Sequence, residues 1–181
     1  MNVMETINKE SKSSNVENLN GKAAVSKIRD MVDSSSLCFF QTEVSFDENQ
    51  SARPMSIQKS DDDGTLWFLS AVDSAKNAEI NSNPRARLFF QKPSSMEFLE
   101  LQGKAKITQD KEMIYELWDS LAKNWFPKGK DDPRISVIKF TPQAGHYWDT
   151  KHGAGLAGAK MLFGMITGKK VDVGVEGELK V

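Results

Sequence analysis

The feature that most constrains this chain is the shortness of the connections between its β-rich runs. LCFFQTEV (37–44), ARPMSIQK (52–59), TLWFLSA (65–71), RARLFFQK (85–92) and EFLELQGKAKIT (97–108) are rich in β-branched and aromatic residues and are separated by turns, a polar loop or one short helix. A parallel pair needs a crossover of a dozen or more residues, so most of these neighbours must pair antiparallel. An antiparallel sheet of this kind curls or closes to remove its edges. The expected class is therefore α+β: a small antiparallel barrel with flanking helices.

The helical periods fit around that sheet. Val25, Ile28 and Val32 share one helix face, with Asn20 as the candidate N-cap and DSSS (33–36) as the stop. DKEMIYELWDSLAKNW (110–125) opens on the cap candidate Asp110 and carries an apolar stripe of Met113, Ile114, Leu117, Trp118 and Leu121, which predicts one long helix. ISVIKFTPQAGHYWD (135–149) reads as one or two strands broken near Thr141–Pro142, and Gly103 is the expected bend of the strand before it. Pro54 lacks an amide hydrogen, which places its strand at an edge or at an irregularity. The first three strands (37–71) are expected in meander order, with DDDG (61–64) as the turn between the last two. Residues 1–20, rich in Ser, Asn, Lys and Glu, are expected to form a mobile tail, and 21–150 the domain. The Gly- and Ala-rich 151–181 is expected to pack on or beside the barrel and to end in a terminal strand or tail.

Composition removes several function classes. With 24 Lys and Arg against 25 Asp and Glu, no global basic field exists to hold a nucleic acid backbone. The longest apolar stretch, GAGLAGAKMLFGMITG, contains Lys160 and falls short of the roughly 20 residues that span a bilayer, so no membrane partner is expected. The single cysteine, Cys38, cannot form an internal disulfide, and no apolar run of signal-peptide length opens the chain, which points to the cytoplasm. The two histidines, His146 and His152, neither accompany a nucleophile elbow nor make a zinc-ligand set. Asp61–Asp63 before Gly64 is better explained as a solvated hairpin turn than as a cation site.

Chemistry concentrates at one joint. In WFLSAVDSAKNAEINSNPRARLFF (67–90) an apolar strand empties into Ser70, Ser74 and Lys76 where a short helix begins, and Asn83–Pro84 closes that helix. A helix N-terminus offers unsatisfied amides and a partial positive charge, so a phosphate placed there finds donors ready. The plain alternative is that Asp73 or Ser74 only caps the helix and that Lys76 is a solvated lysine. Pairing through the DDDG turn would bring Arg53 to the same strand end, giving two cations and two hydroxyls, with Met55 and Leu69 as an apolar floor.

ARPMSIQ, the segment 66–90, LELQGKAKIT, LWDSLAKNWFPKGKDDPR and HYWD together resemble the pyridoxamine 5'-phosphate oxidase-like superfamily in its general stress protein branch, from about Ala23 to Asp149. The resemblance implies an FMN-binding split β-barrel, a homodimer with flavin in the cleft between protomers, and an unidentified small-molecule substrate. FMN is the implied cofactor, with FAD as a second candidate. By the same resemblance Arg53 and Lys76 contact the FMN phosphate and Ser74 sits beside it. Pro54, Met55, Ser56, Leu69 and Ser70 line the ring or ribityl chain, and Trp148 arrives from the partner subunit. Two departures separate the chain from a vitamin B6 oxidase. Ser74–Ala75–Lys76 stands where those oxidases commonly have Ser-Arg-Lys, and no arginine follows Arg134 to receive a substrate phosphate. The activity expected is that of a flavin-dependent oxidoreductase. A non-catalytic flavin carrier or sensor is the alternative, and a haem-handling split barrel using His146 ranks below it.

Overall fold

The computed structural model describes residues 15–42, 52–150 and 174–181. In chain order the elements are β1 (Leu19–Asn20), α1 (Lys22–Asp33), β2 (Leu37–Thr42), β3 (Arg53–Ser56), β4 (Lys59–Ser60), β5 (Leu66–Ala71), α2 (Ala75–Ser82), β6 (Arg85–Lys92), β7 (Glu97–Thr108), α3 (Lys111–Leu117), β8 (Ile135–Thr150) and β9 (Gly174–Lys180). Every strand pair is antiparallel except β1 with β9. The class is α+β. The sheet runs β1-β9-β8-β7-β6-β2-β3, with the β4–β5 hairpin joined to β8, so among the described residues β1, β3 and β4 remain as ends and hydrogen bonding does not close the sheet.

β8 is the spine. Its first half, Ile135 to Phe140, pairs with β5, and its second half, Ala144 to Thr150, pairs with β9, while β7 runs along the opposite side of both. The strand does not break at Thr141–Pro142. A bulge there takes up the irregularity, with Pro142 opposite Gly103 and the register shifting between Gln102 and Gly103. Gly103 is needed for space: a Cβ there would lie 2.2 Å from the Thr141 carbonyl oxygen and 3.0 Å from Pro142 Cα.

The main core fills the concave side of the sheet. Phe40, Phe68 and Phe140 meet edge to face at its centre, with centroids 5.5 and 6.3 Å apart. α1 covers them with Ala24, Ile28, Met31 and Val32, the spacing of one helix face. A second cluster lies behind β5 and β8, where Trp67, Ile135 and Val137 pack against Ile114, Leu117, Ala122 and Phe126.

Four expectations need correction. Residues 15–20 are no tail: Val16 bridges to Glu176, and β1 pairs with the terminal strand. The N-cap position of α1 belongs to Gly21 at φ 54°, a conformation that glycine tolerates, and Asn20 lies in β1. The long helix ends at Leu117, because Trp118 turns extended at ψ 125° and Asp119 accepts from the Ala122 amide at 2.8 Å, starting a new turn that leaves Leu121 exposed. The DDDG turn joins β5 to the two-residue β4, and β3 pairs only with β2, so the meander is interrupted at Ile57–Gln58. The turn's acids serve the turn: Asp63 accepts from the Thr65 amide at 2.9 Å and Asp61 from Trp67 Nε1 at 2.6 Å. The C-terminal Gly174–Lys180 is a full strand beside β8. The expected Gly/Ala-rich packing segment, 151–173, lies outside the described residues. No helix among the described residues is long and apolar enough to cross a membrane.

Candidate functional site

The β5–α2 joint is held by a directional chain of hydrogen bonds. Ser74 is the N-cap of α2, with extended backbone and its Oγ accepting from the Asn77 amide at 3.3 Å. Lys76 Nζ donates to Ser70 Oγ at 2.6 Å and lies 3.5 Å from Ser74 Oγ. Ser70 Oγ in turn donates to Asn77 Oδ1 at 2.8 Å, a shorter contact than its 3.4 Å approach to Ser74 Oγ. Asn77 Nδ2 donates to Ser136 Oγ at 2.8 Å, and Ser136 Oγ donates to the Ser70 carbonyl at 3.0 Å. Asn77, Ser70 and Ser136 are all buried. Each hydroxyl has one proton, so the Ser70 proton is committed to Asn77 and the oxygen serves as an acceptor for Lys76. Ser70 therefore supports the lysine rather than offering a donor outward.

Lys76 is not a solvated lysine. Burial holds its ammonium below the usual value of 10.5, the nearby Arg53 charge pushes the same way, and Glu79 works against both. The first-turn amides of α2 at Ala75 and Lys76 precede any intrahelical acceptor and share that end of the helix. Arg53 reaches the same place from β3. Its Nη2 donates to Glu79 Oε1 at 2.6 Å and its Nη1 to Thr42 Oγ1 at 3.3 Å, while Thr42 Oγ1 donates to Glu79 Oε2 at 2.5 Å. The Arg53 hydrogen bond, and after it the Thr42 hydroxyl, hold the Glu79 carboxyl below the usual carboxylate value against the opposing effect of burial. Two cations, Lys76 and Arg53, thus share this end of the joint with one carboxylate, Glu79, that is bonded to Arg53.

The loop ending in DDPR forms the adjoining wall. The Val72 amide donates to the Arg134 carbonyl at 2.8 Å, and Arg134 grips the covered Asp132 through Nε at 3.1 Å and Nη2 at 2.8 Å. The Arg134 bond holds the Asp132 carboxyl down at about 2.

The remaining expected site residues fall elsewhere. Met55 packs on the main core and Leu69 on the second cluster, each half-buried. Pro54 and Ser56 point away from the core, onto the outer face of the sheet. On that face Pro54, Phe39, Phe89, Glu100 and His146 form one lateral row across β3, β2, β6, β7 and β8. Phe39, Phe89, Phe98 and Trp148 border a groove of about 280 Å³ there, with Phe39, Phe98 and Trp148 exposed. Trp148 is four strand spacings from Pro54, roughly 19 Å, and twelve residues of strand, up to roughly 40 Å, from Ser136. His146 stacks on Trp148 at 4.3 Å and lies 3.5 Å from a Glu176 oxygen. No cluster of three or more His, Cys, Asp or Glu suited to a metal occurs among the described residues. Sequence reasoning did not find Asn77, Glu79, Thr42 or Ser136. The one available signal was Ser136, a lone hydroxyl inside the apolar run ISVI.

Comparison with known proteins places the fold and the family. The general stress protein 26 of Bacillus subtilis (strain 168) is 28% identical over 82 residues, 44% of this chain and 58% of that protein. The chain spans under three fifths of the length of the curated relatives it matches. The structure assigned to general stress protein 26 from Jannaschia sp. CCS1 superposes with a TM-score of 0.73 at 22% identity, covering 86% of this chain and 97% of that one. The general stress FMN/FAD binding protein of Xanthomonas citri superposes with a TM-score of 0.59 at 22% identity, covering 70% and 87%. At such identities the structural likeness is one of fold. The sequence pattern of the family described as "Pyridoxamine 5'-phosphate oxidase like" matches residues 23–172, most of the chain and all of the β5–α2 joint. With that match over most of its length, the chain belongs to the pyridoxamine 5'-phosphate oxidase-like family.

Proposed function

We propose that this protein is an FMN-binding split-barrel protein of the general stress type, and that the flavin serves an oxidoreductase acting on a small molecule other than pyridoxamine phosphate. The observation that carries the reading is the convergence of Lys76 and Arg53 at the capped N-terminus of α2. A phosphomonoester fits that donor set, since a dianion can pair with Lys76 and with the guanidinium hydrogens that Arg53 does not give to Glu79 and Thr42. Lys76, Arg53 and the α2 amides would hold the phosphate, with Ser74 beside it. Pro54 and Ser56 on the edge strand β3 would meet the ring with backbone groups. Bound flavin would supply hydride or electron transfer, and the protein would supply orientation and charge. The B6 substrate is set aside because no arginine follows Arg134.

The site also calls for a second copy of the chain. An isologous contact places each copy's residue i on the other's residue j. The exposed aromatic face has Pro54 and Ser56 at one side and Trp148 at the other, so a two-fold partner laid on it would bring its own Trp148 over the flavin edge. The buried Cys38, its thiol pushed up to about 12 by burial, suits a reducing cytoplasm without taking part in chemistry.

Titration of the flavin-free protein with FMN, FAD and riboflavin, alongside sedimentation, tests the reading. FMN binding well ahead of riboflavin, to a dimer, is expected. Equal binding of FMN and riboflavin, or no flavin binding by a dimer, would overturn it.

A further inference from the structure

The Thr42–Glu79–Arg53 link is more than a tie between a helix and an edge strand. Resting on the phosphate reading above, we propose that Glu79 is the positioning residue of the anion site: its carboxylate, pinned by buried Thr42, holds the Arg53 guanidinium beside Lys76 so that both cations meet a phosphomonoester together.

Arg53 needs such a partner. It stands on a four-residue edge strand whose only sheet neighbour is β2, and a long side chain at such an edge loses much rotamer freedom when a ligand fixes it. Glu79 removes that freedom beforehand. It lies three residues after Lys76 on α2, on the same side of the helix, and its carboxylate has little freedom of its own. One oxygen takes Arg53 at 2.6 Å and the other the hydroxyl of Thr42 at 2.5 Å, and Thr42 is only 2% exposed. Thr42 completes the triangle by accepting from Arg53 Nη1, so three elements, β2, β3 and α2, fix one guanidinium. The carboxylate also has an electrostatic role. Burial and the Arg53 charge both lower the Lys76 pKa, and the negative charge of Glu79 works against that lowering.

The same carboxylate repels a bound phosphate, and the two effects separate by substitution. Glu79→Gln keeps an acceptor for Arg53 and replaces the acceptor for the Thr42 hydroxyl by an amide donor to it, so the link survives without the charge, whereas Glu79→Ala removes both link and charge. The readout is the preference for FMN over riboflavin, by fluorescence quenching, in Glu79→Ala, Glu79→Gln, Arg53→Ala and the Arg53→Ala/Glu79→Ala double variant, with the melting temperature of each recorded. Glu79→Ala should lower the preference by about fivefold or more. Glu79→Gln should keep or raise it, and the double variant should match Arg53→Ala alone. A preference unchanged or raised in Glu79→Ala, or lowered equally in the Arg53→Ala background, would overturn the proposal even if melting temperatures fall, since a purely structural ion pair changes stability and not phosphate discrimination. Arg53→Ala leaving the preference intact is a separate result, one that removes the phosphate site itself.

Discussion

Replacing Lys76 by Met should move binding and stability in opposite directions. Methionine keeps most of the hydrocarbon volume and removes the ammonium, which in the empty protein is half-buried and repelled by Arg53. Ser70 loses the proton it accepts at 2.6 Å but keeps its own donation to Asn77, so the buried relay to Ser136 survives. Relief of a charge kept in place for function typically stabilises by about 1 kcal/mol, which for a chain of this size raises the melting temperature by roughly 2 to 4 °C. Binding changes the other way. One charge-assisted hydrogen bond to phosphate contributes roughly 1.5 to 3 kcal/mol, so FMN affinity should fall by roughly 10- to 150-fold. Riboflavin, with the same ring and ribityl chain but no phosphate, should bind the variant as it binds the parent. Differential scanning fluorimetry without ligand and fluorescence titration with each flavin measure the two effects. Equal losses for FMN and riboflavin, or a lower melting temperature with FMN affinity unchanged, would make Lys76 a structural residue and refute the reasoning.

The other expectations concern pH, the polar relay and the bulge. Because the Lys76 pKa is depressed in the empty protein, the unfolded chain binds a proton that the folded one lacks in the window just below 10.5, so this group makes stability rise with pH there. Phosphate binding needs the ammonium, so the FMN-to-riboflavin preference should fall across the same window, and ring ionisation, common to both flavins, cancels in the ratio. A preference that stays flat up to 10.5 would place the lysine away from the phosphate. Asn77→Ala takes the acceptor from the Ser70 proton and the donor from Ser136 Oγ, while Ser70 Oγ keeps Lys76 and Ser136 Oγ keeps the Ser70 carbonyl. It should cost about 1 to 3 kcal/mol in urea unfolding, whereas a change within about 0.5 kcal/mol, the scale of a surface substitution, would show that the relay is not needed. Gly103→Ala should cost about 1 to 3 kcal/mol by the same assay, since the new methyl meets main-chain atoms of Thr141 and Pro142 that cannot step aside.

How much of this was legible in the sequence depends on whether a feature is local. Ser74 as helix cap, Asn83–Pro84 as helix stop and Gly103 as a bend are each set by nearby residues, and the structure has all three. The helix at 111–117 was legible at its start, through Asp110, and misread at its end. The 3.6-residue period of apolar side chains carries on through Trp118 and Leu121, but Asp119 is itself a capping residue that opens a second turn. A capping side chain inside an apolar stripe outweighs the stripe, because it offers the backbone another partner where the helix would otherwise continue. The terminal segment was expected as a strand or a tail, and the structure makes it a strand whose Gly177 and Leu179 are buried. The site divides the same way. Lys76 and Arg53 announce themselves as charges beside a helix start and on a proline-marked edge. Asn77 and Glu79 look like ordinary polar residues on a short surface helix, and nothing within α2 distinguishes them from Asn81 or Ser82. What sets them apart is contributed from outside the helix: Ser136 stands opposite Ser70 across a strand pair, and Thr42 ends the strand that pairs with β3. Residues that present a charge to a ligand can thus be read from local pattern, whereas residues that hold the charge in position are defined by strand register. The Glu79 and Asn77 substitutions are for that reason the more demanding test of the site, since they probe what only the fold brings together.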